Sequence, residues 1–332
     1  MKKIIPFILC LAFIGFAFGQ SNDPVLTSWL LNTFGITGYN GLPANVQKVQ
    51  YSQNYVYVSS SGIPAYSIGP WPADPNLASD QHFVFQIPRH LKAQSGSKTD
   101  TPLGPIGVLI NGVAVFKAKD AHTYHNDGIW HRNAVFVEAS SFDGCLGHPQ
   151  MQGVYHHHQN PKCLYTANQK KHSPIIGYAF DGFPIYGPFG YANSDGTGGI
   201  KRMVSGYKLR NITKRTSLAD GTQLSPSQYG PDVSSQYPLG YFIEDYKYVD
   251  LTDDLDKYNG RFTVTPQYPN GTYAYFITIN ADGSSAYPYI IGPQYNGVVE
   301  NTNIQTHGHV TINESVNPNY SRNQYEVIHI IL

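Results

Sequence analysis

Two histidines one residue apart, His156 and His158, flank His157 in the run Tyr155-His156-His157-His158. Alternate side chains of a β-strand share a face. A strand over 154–158 therefore turns His156 and His158 one way and His157 the other. Such a pair can offer two nitrogens to one cation, and imidazole is the commonest protein ligand for metals. Further donors crowd the same stretch: His122, His125, His131, His148 and His172, with Asp127, Glu138 and Asp143. Zinc takes about four N, S or O ligands, and copper accepts imidazole as readily. The expected metal ligands are His156, His158, His148 and His131. Glu138 and Asp143 are the candidate catalytic groups, as bases beside the ion or as orienting oxygens. The bland alternative is packing of these histidines on aromatic rings or hydrogen bonding to backbone.

The elements that must hold such a cluster begin with the cysteines. The chain has three. Cys10 lies in a leader: Lys2 and Lys3 precede the apolar run Ile4 to Phe18, and Ala17-Phe18-Gly19 offers a cleavage site. Residues 1–19 are expected to be a secretory signal peptide. The expected location is then extracellular, periplasmic or cell-surface. In oxidising surroundings Cys145 and Cys163 are expected to form one disulfide, with a Cys/His zinc site as the alternative. The loop so closed contains His148 and the histidine run, and its closure stabilises by about 3 kcal/mol.

Other motifs carry less. His307-Gly308-His309 repeats the spacing without nearby acids and reads as a polar strand face. Asp253 to Gly260 resembles a calcium loop, but its glycine comes one place late and Thr265 stands where the closing acid belongs. Calcium is thus a weaker candidate than zinc or copper. No nucleophile elbow or phosphate-cradling loop occurs. The formal net charge of zero, with 13% charged residues, gives no basic face for nucleic acid. After the leader, no segment is long and apolar enough for a membrane helix.

The 26 Tyr, 32 Gly and 23 Pro predict a mainly β fold. The expectation is one large Tyr/Gly-rich β domain with long loops and few short helices over 20–296, followed by an extension or final strands over 297–332. Asp23-Pro24 predicts a capped short helix. Strands are predicted within Val46 to Val58, at Phe83 to Ile87, and on either side of the Asn111-Gly112 turn. Others are predicted at Ala134 to Glu138, Ile175 to Phe180, Tyr241 to Tyr248, Arg261 to Val264, Thr272 to Ile279 and Tyr287 to Ile291. Strand-like ends follow at His309 to Ile312 and Tyr325 to Ile331. Residues 211–240 predict a long polar surface excursion.

Several longer runs together have the look of one family. They are Ser141-Phe142-Asp143-Gly144-Cys145-Leu146-Gly147-His148-Pro149, Gly153 to His158, Pro161-Lys162-Cys163-Leu164, His172 to Pro188, Leu255 to Arg261 and Thr265 to Tyr273. Over roughly 130–292 the chain resembles the YHYH-domain family of secreted bacterial proteins. It departs from the Tyr-His-Tyr-His signature at His157 and keeps both outer histidines. The resemblance implies export and names no reaction. Two functions remain open. One is a secreted transition-metal protein holding zinc or copper, with metalloenzyme activity as its stronger form. The other is a non-catalytic extracellular module for a glycan or protein partner, anchored by aromatics such as Trp71, Trp130 and Tyr186 to Tyr191.

Overall fold

The apolar alternation after Gly41 becomes three antiparallel strands, β1 (Val46–Tyr51), β2 (Tyr55–Ser60) and β3 (Phe83–Pro88). Ser52 separates the first two. Its hydroxyl accepts the backbone N–H groups of Asn54 and Tyr55 and turns the chain. The computed structural model describes residues 23–250 and 254–318. The leader 1–19 and the strand expected at Tyr325 to Ile331 lie outside the described residues.

The turn at Asn111-Gly112 joins β4 (Pro105–Leu109) to β5 (Ala114–Phe116). Gly112 lies at φ +80°, where a side chain is strained. β6 (Lys119–Thr123) folds back on β7 (His131–Asn133). Then come β8 (His148–Pro149), β9 (Tyr155–His157), β10 (Ile175–Ala179) and β11 (Pro184–Tyr186). Two side hairpins follow, β12 (Phe189–Tyr191) with β13 (Ile200–Arg202), and β14 (Tyr207–Leu209) with β15 (Tyr246–Tyr248). β16 (Gly260–Thr263) pairs with β17 (Thr272–Phe276), and β18 (Asn317–Pro318) adds to the edge of β1.

Eight strands share one sheet in the order β16-β17-β11-β10-β4-β5-β9-β8. Every residue of β4, β10, β11 and β17 is buried. Those strands read as continuous apolar runs rather than alternations because both faces of the sheet are covered. Ile106, Val108, Tyr178, Ile185, Tyr275 and Phe276 fill this core. The fold is mainly β, as expected, with three short α-helices among the described residues: α1 (Pro24–Thr27), α2 (Ala134–Val137) and α3 (Thr302–Gln305). Asp23 caps α1 by accepting the Val25 N–H. No helix among the described residues is long and apolar enough to cross a membrane.

Four predicted strands differ from the structure, one of them His309 to Ile312, which keeps only an isolated bridge from His309 to Val84. Ala134 to Glu138 forms the helical turn α2, closed by the Glu138 N–H on the Ala134 carbonyl at 2.9 Å. Its β-branched residues favour a strand, but tertiary packing overrides that weak preference. Tyr287 to Ile291 forms turns, and Tyr241 to Tyr248 keeps only β15 after a 3₁₀ turn. Residues 211–240 form the turn-rich excursion, yet they conceal Arg215, which is fully buried. Beyond Gly297 the chain packs on β3. The Asn303 side chain accepts the Gln86 N–H at 2.9 Å and donates to the Gln86 carbonyl at 2.5 Å.

Candidate metal centre

Pairing of β8 with β9 sets His148 directly opposite His156. Cross-strand partners share a face, so both side chains emerge on the same side, and His158 joins them two residues on. The Cys145–Cys163 disulfide closes the loop that carries all three. Gly147 lets the chain pass close behind, since a Cβ there would come within 2.9 Å of His157 Cε1. The result is a buried group: His148 Nε2 lies 3.1 Å from His156 Nε2, which lies 3.0 Å from His158 Nε2.

The other ring nitrogens fix where the protons are. His156 Nδ1 lies 2.9 Å from the Val154 carbonyl and His158 Nδ1 lies 2.6 Å from the Lys117 carbonyl. A carbonyl only accepts, so both Nδ1 atoms carry hydrogen. His148 Nδ1 faces Ser141 Oγ at 2.8 Å, and that hydroxyl gives its own proton to the Glu138 carbonyl at 2.7 Å. Ser141 Oγ must therefore accept from His148. In the neutral state all three Nε2 atoms present bare lone pairs to one another. Protonation is a poor remedy. Burial drives the pKa of His156 well below the usual imidazole value, that of His158 down to about 3 and that of His148 down to about 4.

A carboxylate stands beside two of the three imidazoles. Glu138 Oε2 lies 3.4 Å from both His148 Nε2 and His158 Nε2, and it is buried without a hydrogen-bond partner. Burial, with Asp120 next, raises its pKa to about 7. Neighbouring ligands at about 2.0–2.1 Å from a tetrahedral ion stand about 3.3 Å apart, and the contacts His148–His156, His156–His158, Glu138–His148 and Glu138–His158 span 3.0–3.4 Å. Above them opens a cleft of about 680 Å³ whose lining includes Phe116, Lys117, Lys119, Asp120 and Arg132.

Two expected site residues lie elsewhere. His131 Nδ1 meets Glu244 Oε1 at 2.7 Å, and the same carboxylate accepts the His131 backbone N–H, so it belongs to a separate pair. Asp143 is buried behind the strand. It accepts from the backbone N–H groups of Gly69, Cys145 and Gly147, from Trp71 Nε1 and from the Tyr155 hydroxyl. It clamps the loop and faces away from the three Nε2 atoms. His157, on the opposite face as expected, donates from Nδ1 to the Leu146 carbonyl. In the calcium-like turn, Asp254 pairs with Lys201 and Asp256 accepts from the Tyr273 hydroxyl, while Asp253 lies outside the described residues. His307 lines the cleft rim, and His309 packs on Phe83. The residues not foreseen are Ser141, which orients His148, and Asp74, whose carboxylate stands 3.5 Å from His148 Nδ1. Ser141 adjoins the histidine-rich segment, but nothing in the sequence links Asp74 to it.

These placements separate the two carboxylates by experiment. Glu138→Gln is expected to leave stability within about 0.5 kcal/mol and to weaken metal binding by about 10–100-fold. Asp143→Asn puts a donor among five donors and is expected to cost about 2 kcal/mol or more in urea unfolding. Equal stability losses in the two variants would refute the assignment.

The same groups predict a pH response of the metal-free chain. His148, His157 and His158 titrate near 4, 4 and 3 in the folded state, against about 6.5 when unfolded. Between about pH 6.5 and 4 the unfolded chain binds protons that the folded chain refuses, so these groups withdraw stability as pH falls. Glu138, raised to about 7, acts oppositely: its contribution is present below about 4.5 and lost as pH rises through 7. Urea unfolding after EDTA treatment is expected to show stability declining toward acid, and more steeply in Glu138→Gln. A rise toward pH 4 would contradict the buried neutral imidazoles.

The fold and site define a mainly β protein built around a buried cluster of three imidazoles and a carboxyl. Residues 84–287, more than half the chain, match the family model described as YHYH protein, and the chain belongs to that family. Comparison with curated proteins and with solved structures gave no match.

Proposed function

We propose that this protein binds one transition-metal ion, zinc or copper, through His148, His156 and His158, with Glu138 as fourth ligand or as a base beside the ion. The observation that carries the reading is the convergence of three unprotonated Nε2 atoms at 3.0–3.1 Å while each Nδ1 is committed to an acceptor. Buried lone pairs that face one another are costly unless a proton or a cation stands between them, and burial disfavours the proton. A bound divalent ion supplies Lewis acidity at the floor of the cleft. The chain supplies the rest. Ser141, Val154 and Lys117 hold the rings through Nδ1, and Glu138, titrating near 7, can take or return a proton at Oε2. Metal-assisted hydrolysis or hydration is the reaction class these parts fit best, and export is its expected setting.

The glycan or protein module has less support. Trp71, Trp130 and Tyr186 are buried, with Trp71 Nε1 on Asp143 and Trp130 Nε1 on the Gln228 carbonyl. They pack the core and present no stacking platform. The test is elemental analysis of the purified, dialysed chain. About one zinc or copper per chain is expected, with cobalt substitution giving a four-coordinate visible spectrum. A folded chain that takes up neither metal would end the proposal.

A further inference from the structure

The cleft above the imidazoles has two unlike rims. One is apolar. Phe116 stacks on the His156 ring at 3.9 Å, and Leu103 and Met151 line the same concavity at 48% and 80% exposure. Scattered exposed apolar side chains are ordinary, but three converging on one hollow form a binding surface. The other rim is basic and leads into β6. Arg132 is matched by Asp120 at 2.8 Å. Lys119 has no ion pair or side-chain hydrogen bond among the described residues, and Lys117 donates only to the Thr101 carbonyl. Of the acids of the cleft, Glu138 faces the imidazoles and Asp74 stands beside His148 and accepts from Asn76. Lys119 therefore brings a positive charge to the rim without an ion pair among the described residues, while the Lys117 ammonium is held on the Thr101 carbonyl.

We propose that the cleft takes a small organic anion, its apolar body against Phe116, Leu103 and Met151 and its carboxylate or phosphate on Lys119. This names a ligand class for the metal centre and rests on that reading for the floor of the site, although both rims exist without the ion. The geometry lets the anionic end anchor the ligand while its body lies over the imidazoles. Charge complementarity of this kind selects among ligands of similar shape.

The chain contains only Met1, Met151 and Met203, so methyl labelling gives a direct readout. Met151 lines the cleft, and Met203 is fully buried and reports on the fold. The full-length chain with isotope-labelled methionine methyls is titrated with benzoate, phenyl phosphate, benzyl alcohol and benzylamine, before and after EDTA. Benzoate or phenyl phosphate is expected to move the Met151 signal saturably and leave Met203 in place, and which of the two binds tighter distinguishes carboxylate from phosphate. Lys119→Glu is expected to weaken the anion about tenfold or more, and Lys119→Gln by less. If Lys119→Glu disturbs Met203, Lys119→Gln carries the test. Benzylamine or benzyl alcohol binding as tightly as the anions, no response at Met151, or anion affinity unchanged in both variants would overturn the proposal. A metal-loaded chain without anion preference refutes this inference alone. A folded chain that takes up neither zinc nor copper, but whose Met151 answers to anions, refutes the metal reading alone.

Discussion

Replacing His156 and His158 together with alanine is expected to abolish stoichiometric metal binding while leaving the β fold in place. Structural zinc sites bind with about 10–16 kcal/mol, or roughly 3 kcal/mol for each of four ligands. Loss of one ligand then costs more than about a hundredfold in affinity, and loss of two removes binding at micromolar metal. Folding should survive because the core of β4, β10, β11 and β17 lies on other strands of the sheet, and the disulfide still closes the loop. The substitution also removes two lone pairs that oppose each other in the metal-free state. The metal-free double variant should therefore be no less stable than the metal-free parent once the lost packing on Phe116 is counted. Elemental analysis gives the stoichiometry, and circular dichroism gives the fold. Retention of one ion per chain in the double variant would mean that the ion sits elsewhere.

The histidine pair was legible because strand periodicity is two, and β9 obeys it: His156 and His158 meet at 3.0 Å and His157 turns away. His148 was legible because a disulfide loop limits how far it can stray. Its exact partner was not, since the antiparallel register of β8 on β9 is set by packing across the sheet. Glu138 was found as an acid of the right neighbourhood, but on the wrong element. The strand propensities of Val135 and Val137 hid the helical turn that aims its carboxyl at the cluster. His131 and Asp143 show the limit of proximity along the chain. Both lie near the cluster in sequence, but Glu244 and the turn at Cys145 claim them. Asp181 lies in the turn between β10 and β11, an ordinary place for an aspartate. Its carboxylate is nevertheless buried and accepts the Tyr275 hydroxyl and the Gly297 N–H. Such partners, distant in sequence, leave no local trace.

The same blindness hid the buried ion pair inside the polar excursion, where a second large effect is expected. Arg215 and Asp245 are both fully buried and joined by two hydrogen bonds, at 2.7 and 2.8 Å. The guanidinium also donates to the carbonyls of Pro231, Tyr237 and Pro238, and the carboxylate accepts the N–H groups of Gly240 and Phe242. One pair thus satisfies the backbone of a segment with little regular structure. Asp245→Ala strands a buried cation and is expected to cost about 3–5 kcal/mol. A buried ion pair can often be exchanged for apolar residues at little cost, but here Arg215→Met with Asp245→Leu would leave the Pro231 carbonyl and the N–H groups of Gly240 and Phe242 unpaired and take one donor from each of the Tyr237 and Pro238 carbonyls. The double replacement should therefore destabilise about as much as the single one. The loss should fall first on 210–245, and hydrogen exchange there should rise before it rises in β10 or β17. Because Glu244 neighbours Asp245 and holds His131, that pair should loosen with it, while metal binding at His148, His156 and His158 persists in the folded fraction. An Asp245→Ala chain less than about 1 kcal/mol below the parent in urea unfolding would show that the pair contributes only as an exposed salt bridge does.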